Sequence, residues 1–406
     1  MTSIVDTSVK LYTSEMANVP PLTNANASLV ALLDAVLKEG FDVKSITSLT
    51  VAAGVATLAW TGAHSAIPHA VIIVAGVTGG PEGFAEMNGE QKVQTKPTES
   101  SCTFLTALPD GVYTGSITIK IAPLGWEKPF AGSGKGAYRS ADLASTRMFL
   151  RVDDNYGQSA RMCGFESMSG IDTGTGPFPS PSQGGVFSEG GGWWIKALGG
   201  VRPASWVIVG DGRTFFFHSS PYSSHGPAYG AYTVGSLRGF GDMIASRPGG
   251  DAYACALGVQ PTLNDGYPTY GAFDNVGSGY MYMPRDWTGV GSSQDNYCIP
   301  YTGNTSMSGM DTTLGPFPSR VDGSMRLSRR FLASSTAREP RCDVPGVVSV
   351  PQSGLGGLRH KSFFAGTDSL AGRQLIGLVV SSSASSILPA PGNSGMVLVD
   401  VTGPWR

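Results

Sequence analysis

The chain has 406 residues, with 28 basic and 30 acidic side chains, a net charge of −2 and only 14% charged residues. Such a balance lacks the basic stripe of a nucleic-acid binder, and 41% apolar residues is too many for a disordered chain. With 56 glycines and 27 prolines, the totals describe a turn-rich, mainly β protein of roughly two or three domains, its weakly charged surface either covered by partners or solvated by Ser, Thr and Gly.

Residues 1–27 are polar and irregular, broken by Pro20-Pro21, and read as an arm able to order on a neighbouring subunit. Between 28 and 39, Leu29, Leu32, Leu33, Val36 and Leu37 recur at helical spacing. Asn26 or Ser28 is placed to cap the start and Gly40 to end it. The stripe packs either on its own domain or on a neighbour. Arm and amphipathic helix together make a first unit, 1–44.

Over 45–124 the period falls to two. Val51 and Val55–Trp60 read as strands about an Ala53-Gly54 turn, and Ala70–Ala75 as a buried strand. Ile117, Ile119 and Ile121 alternate with polar residues. With turn signals at Gly79-Gly80-Pro81, Asn88-Gly89 and Pro109-Asp110-Gly111, the expectation is a small immunoglobulin-like sandwich.

Residues 125–406 are rich in glycine and aromatics and read as a larger β domain. Strands are expected at Met148–Val152, Ser205–Val209, Thr214–His218, Tyr280–Met283 and Leu375–Val380, with a hairpin turn at Gly210-Asp211-Gly212. Ser167–Ser180 returns almost unchanged as Ser306–Ser319, including Gly-Pro-Phe-Pro-Ser. The repeated unit is structural: a turn, then a proline-stiffened extended segment with one aromatic anchor. It marks either two related lobes, 125–270 and 271–406, or a locally copied tract.

Candidate chemistry is thin, and no catalytic, cofactor-binding or metal-ligating residue is assigned. The five cysteines, Cys102, Cys163, Cys255, Cys298 and Cys342, form no C-x-x-C pair and read as isolated buried thiols. His64, His69, His218, His225 and His360 have no metal spacing, and His64 and His69 read as turn or surface residues. Gly392-Asn393-Ser394-Gly395 lacks the Asp of a serine-protease setting. Gly132-Ser133-Gly134-Lys135-Gly136 lacks the first Gly and the final Ser or Thr of a phosphate loop, and reads as a flexible basic turn. Asp153-Asp154, Asp172, Asp211, Asp242, Asp251, Asp274, Asp286 and Asp311 mostly adjoin Gly or Thr and favour turns. Trp193-Trp194, Trp206, Phe215–Phe217, Tyr222, Tyr229, Tyr232, Tyr267, Tyr270, Tyr280 and Tyr282 fill either cores and interfaces or a glycan platform. Met1–Val19 has no basic region followed by an apolar run, and no apolar stretch reaches the roughly 18 residues of a membrane span.

A resemblance joins these features. Ala56-Thr57, His64, Val71-Ile72-Ile73, Asn88-Gly89, Val93 and Thr103-Phe104 fall in the order of a small β module recurrent in tailed-bacteriophage structural proteins, with Pro68-His69-Ala70 where that module has Gly-Asp. Beyond residue 125, the hairpin Trp206–Phe217 around Gly-Asp-Gly-Arg, then Phe240-Gly241-Asp242 and the closing Thr402-Gly403-Pro404-Trp405-Arg406, resemble uncharacterised virion structural proteins of tailed phages. The resemblance implies a non-enzymatic tail, baseplate or neck subunit, folded and assembled in the host cytoplasm. Its partners would be other virion proteins and copies of itself in a symmetric ring, with no nucleic-acid contact and no membrane insertion. The alternative it leaves is a tail-tip protein that recognises a cell-surface glycan.

Overall fold

The computed structural model describes residues 3–183, 190–197, 203–224, 235–260, 272–274, 280–302, 314–335, 339–381 and 394–406. The protein is mainly β, as composition and turn density require. Strand β1 (Lys10–Thr13) precedes helix α1 (Ser28–Leu33), which widens into a π-helical turn over Asp34–Glu39. The five stripe residues of this helix are all fully buried, and Gly40, at φ 74°, closes it by donating to the Ala35 carbonyl. The stripe packs within its own chain. The N-terminal cap is neither Asn26 nor Ser28: the Leu29 amide donates to Asp154 Oδ2, 125 residues on, at 2.7 Å.

Six strands follow: β2 (Phe41–Ala52), β3 (Val55–Trp60), β4 (Val71–Gly79), β5 (Gly89–Thr98), β6 (Ser101–Leu105) and β7 (Gly111–Ile121). They close into a barrel in the order β2-β3-β6-β5-β4-β7. The two-sheet sandwich read from the sequence is closed because two strands serve both sheets. β2 pairs with β3 and with β7, and β5 pairs with β4 through Gly89–Lys92 and with β6 from Val93 onward. The β2–β3 hairpin turns on Ala53 and Gly54, at φ 50° and 75°, a pair of left-handed residues matching the strand twist.

A six-stranded sheet comes next, built from β8 (Trp126–Gly132), β9 (Lys135–Ser140), β10 (Phe149–Tyr156), β11 (Ser159–Gly170), β12 (Thr173–Phe178) and β13 (Gly192–Ile195). The first copy of the repeat is the β11–β12 hairpin. Its turn is at Ile171-Asp172 and its anchor, Phe178, is fully buried. Of the second copy, residues 306–313 lie outside the described residues. At its end Gly315 repeats the left-handed backbone of Gly176, and Phe317-Pro318 repeats the cis peptide of Phe178-Pro179.

The remaining strands are β14 (Ala204–Gly210), β15 (Thr214–Ser224), β16 (Ser236–Asp242), β17 (Ile244–Ala245), β18 (Cys255–Gly258), β19 (Met281–Met283), β20 (Gln294–Pro300), β21 (Ser328–Ser334), β22 (Pro340–Ser349), β23 (Phe363–Ala365), β24 (Gln374–Ser381) and β25 (Ser394–Asp400). With β1 they form one thirteen-stranded sheet, β1-β14-β15-β16-β18-β19-β20-β21-β22-β25-β24-β23, with β17 paired to β22. The sheet curls until Gly235, ahead of β16, bridges Val380 of β24. It runs unbroken through β18–β19 pairing across the lobe boundary expected at 270/271.

β14 and β15 form the wall between two cores. Trp206, Ile208, Phe215 and Phe217 face the core shared with the helix, barrel and second sheet, whereas Val207, Val209 and Phe216 face the inside of the curled sheet. The period of two thus buries both faces, as in a central strand. The arm expected over 1–27 is tied into this wall. β1 pairs with β14, and Leu11, Tyr12, Met16 and Leu22 are buried. The segment thus packs on its own chain, where the sequence suggested an arm ordered on a neighbouring subunit. Buried Lys92 of β5 then locks the ends of the structure together, donating to the carbonyls of Val9 and Val401 at 2.6 Å each.

Candidate functional site

The three motifs of the second half meet in one place. At the β14–β15 turn, Asp211 Oδ1 accepts from the amides of Arg213 and Thr214 at 2.8 and 2.7 Å. Asp242, at the end of β16, accepts the Thr146 amide at 2.9 Å and the Thr146 hydroxyl. Burial pushes its carboxyl above the ordinary value, opposed by those two bonds and by Arg406 and Arg213. Arg406 closes the knot: its guanidinium pairs with Asp211 Oδ2 and donates to Thr214 Oγ1 at 3.0 Å and to the Asp242 carbonyl at 2.6 Å. Trp405 lies on Phe216 and on Gly346, where a Cβ would come within 2.3 Å of the indole at φ 66°. Arg406→Ala leaves a carboxylate, a hydroxyl and a carbonyl short of a donor, and is expected to cost about 1–3 kcal/mol in urea unfolding. A change within error would remove this role.

A concavity of about 480 Å³ opens where β19 and β21 end and β20 and β22 begin. Arg247, Trp287, Gln294, Asn296, Glu339 and Arg341 are among its lining. Trp287 is 49% exposed, with the Arg247 guanidinium 4.6 Å from its ring centroid. Arg341 is held by Asp251 at 2.9 Å and by the Arg285 carbonyl at 2.8 Å. Asp286 accepts from the amide and hydroxyl of Thr288, both at 2.9 Å; the amide bond leads in pulling its carboxyl below the usual range. That direction opposes the raised pKa a glycosidase acid needs. Residues on either side of the first repeat brace the outer wall. Glu166 of β11 accepts from Arg285 Nε at 2.6 Å, and Gln183 donates to the Ser293 carbonyl and to Asp295 at 3.0 and 2.8 Å.

Other sequence candidates resolve into structure. All five cysteines are buried free thiols. His64 is not a surface residue: it is buried, donates to the Asp42 carbonyl at 2.8 Å and accepts from the Ala66 amide at 3.0 Å. His69, at φ 69°, packs its ring 4.8 Å from Phe363. Lys135 opens β9 directly after the β8–β9 turn and pairs with Asp172 at 2.8 Å. Asp172 also takes Arg151, and bonds from both cations lower its carboxyl. Trp193, Trp194, Trp206, Phe215–Phe217 and Tyr282 fill the cores. His225, Tyr229, Tyr232, Tyr267, Tyr270, Asp311 and Asn393 lie outside the described residues. Trp287, the tryptophan that faces solvent, carries no local signal, because its neighbours Asp286 and Thr288 read as an ordinary turn.

The architecture is that of a mainly β protein in which a closed barrel, a six-stranded sheet and a curled sheet pack together, with β14 and β15 dividing two cores. No protein-family model matches the chain, and no curated protein matches it. Among solved structures, the phage phi92 endosialidase aligns at 10% identity over 89% of this chain and 52% of that one, with a TM-score of 0.16. The chain thus spans about half the length of that protein, and a likeness this slight carries no argument. No helix among the described residues is long and apolar enough to cross a membrane.

Proposed function

We propose that the chain is a structural subunit of a tailed-phage particle, in the tail, baseplate or neck, which works by contact with other virion proteins and copies of itself in a symmetric ring. The observation that supports this reading is the knot around Arg406. The motifs by which the sequence resembles virion proteins, Gly-Asp-Gly-Arg, Phe-Gly-Asp and Thr-Gly-Pro-Trp-Arg, are joined in one hydrogen-bonded clamp. The resemblance is therefore one of scaffold. The open edges β8 and β12 of the second sheet and β23 of the large one offer backbone groups to neighbours. Imaging of purified particles is expected to place the chain at a fixed position and stoichiometry; its absence from particles that retain all other proteins would refute the reading.

The second reading, a tail-tip protein recognising a surface glycan, is favoured by one specific observation, the concavity beneath the exposed Trp287.

A further inference from the structure

We propose that the Trp287 groove is a binding site for a short neutral saccharide. The inference rests on the second reading above and gives it a place and a ligand class.

Of the seven tryptophans, Trp60, Trp126, Trp193, Trp194, Trp206 and Trp405 are at most 8% exposed, whereas Trp287 is 49% exposed. An indole at the rim of a concavity offers a flat apolar face to the C–H side of a pyranose ring. Arg247, stacked over it at 4.6 Å, steadies its orientation. The volume of about 480 Å³ lies within the roughly 300–1,000 Å³ of small-ligand sites.

A second, independent observation points to a ligand hydroxyl. Asn296, which lines the cavity and is fully buried, keeps its Oδ1 without a hydrogen-bond partner. Its amide nitrogen donates to the Gln294 carbonyl at 3.0 Å and to the Met281 carbonyl at 3.4 Å, which fixes which end of the side chain is the oxygen. A buried acceptor left unpaired costs about 1–3 kcal/mol, and a sugar hydroxyl is a donor of the right size to pair it. Exposed Glu339 adds a further acceptor and Arg247 a further donor on the wall.

Charge decides the ligand class. The lining has the carboxylates Asp251, Asp286 and Glu339 against the guanidiniums Arg247 and Arg341. Arg341 already spends Nε on Asp251 and Nη1 on a backbone carbonyl. It has no free fork for a carboxylate or phosphate, and an acidic sugar would meet net negative charge.

The test uses the full chain. Short oligomers of glucose, mannose, galactose and N-acetylglucosamine are titrated by calorimetry beside their acidic counterparts, with acrylamide quenching to read Trp287 against the six buried tryptophans. At least one neutral oligomer is expected to bind saturably and protect Trp287. Trp287→Ala is expected to weaken binding by about tenfold or more with the thermal transition unmoved, and Arg247→Ala to weaken it less. Undiminished binding to Trp287→Ala would move the saccharide elsewhere, sinking the groove and sparing the glycan reading. Failure of every oligomer, neutral and acidic, to bind sinks both, and preference for the acidic ones overturns the ligand class.

Discussion

Replacing Lys196 by Met is expected to lower folding stability by about 3–5 kcal/mol, because it strands a charge in the interior. Lys196 and Asp154 are fully buried and paired through Nζ and Oδ1. The ammonium also donates to the Ala25 carbonyl at 2.6 Å, and the carboxylate's second oxygen caps α1 through Leu29. Burial pushes the Asp154 carboxyl up and the Lys196 ammonium down, so each holds its charge against desolvation by virtue of the other. Removing the cation alone leaves the anion without compensation. The double replacement Lys196→Met with Asp154→Asn removes both charges while keeping an oxygen able to accept from Leu29. It is expected to recover most of the loss, since a buried pair is close to neutral against uncharged groups of similar size. Urea unfolding of wild type, both single variants and the double variant forms a complete cycle. Equal losses in the single Lys196 variant and the double would refute the coupling.

Acid is expected to weaken the protein through His218. This imidazole is buried in β15, donates to the Val379 carbonyl at 2.9 Å, and lies 4.9 Å from the ring of His360, whose Nδ1 accepts the Val379 amide at 3.2 Å. Desolvation lowers His218 from 6.5 to about 4, with Lys361 and Arg238 adding repulsion. His360 is pushed well below its usual value by burial, by His218 and by Lys361. The folded pKa is below the unfolded one, so the unfolded chain binds more protons between about 6.5 and about 4, and stability falls as pH falls through that window. For His218 alone the loss between pH 7 and 4.5 is about 2–3 kcal/mol. Asp274 acts in the opposite sense: burial raises it to about 6, against Arg330 and Arg238, so acid relieves it. The measurement is therefore the stability gap between wild type and His218→Gln, read in urea at both pH values. The gap is expected to shrink by that amount on acidification, and His360→Gln should show the same trend. A gap that does not change with pH would rule out the imidazole as the sensor.

What could be read from the chain is what its local pattern dictates. The Ile117, Ile119 and Ile121 alternation and the Leu29 to Leu37 stripe each require one face to be buried, and each is. The Gly-Asp-Gly turn and the Ala53-Gly54 turn follow from backbone and side-chain preferences acting within four residues. Distant partnerships carry no such mark. Lys10–Thr13 is too short and too polar in its flanks to announce a strand, and becomes one only because β14 offers it a ladder. Asp154 resembles any other Asp beside a turn until the fold brings Lys196 to it. Trp287 was hidden for the converse reason: exposure is set by what fails to pack against a residue. The two copies of the repeat read as one device, and their Gly-Pro-Phe-Pro ends do share a backbone shape. Yet one lies in the six-stranded sheet, and the other falls in the stretch of chain between β20 and β21.

The ladder between Lys10–Thr13 and Val207–Gly210, together with the Lys92 clasp on Val9 and Val401, sets a schedule for biosynthesis. Leu11 and Tyr12 leave the ribosome early and have no berth until β14 emerges, and the clasp cannot shut until the final strand arrives. Pairings of such sequence separation make for slow maturation, and in the interval an unsheltered apolar ribbon is open to chaperones or to wrong partners.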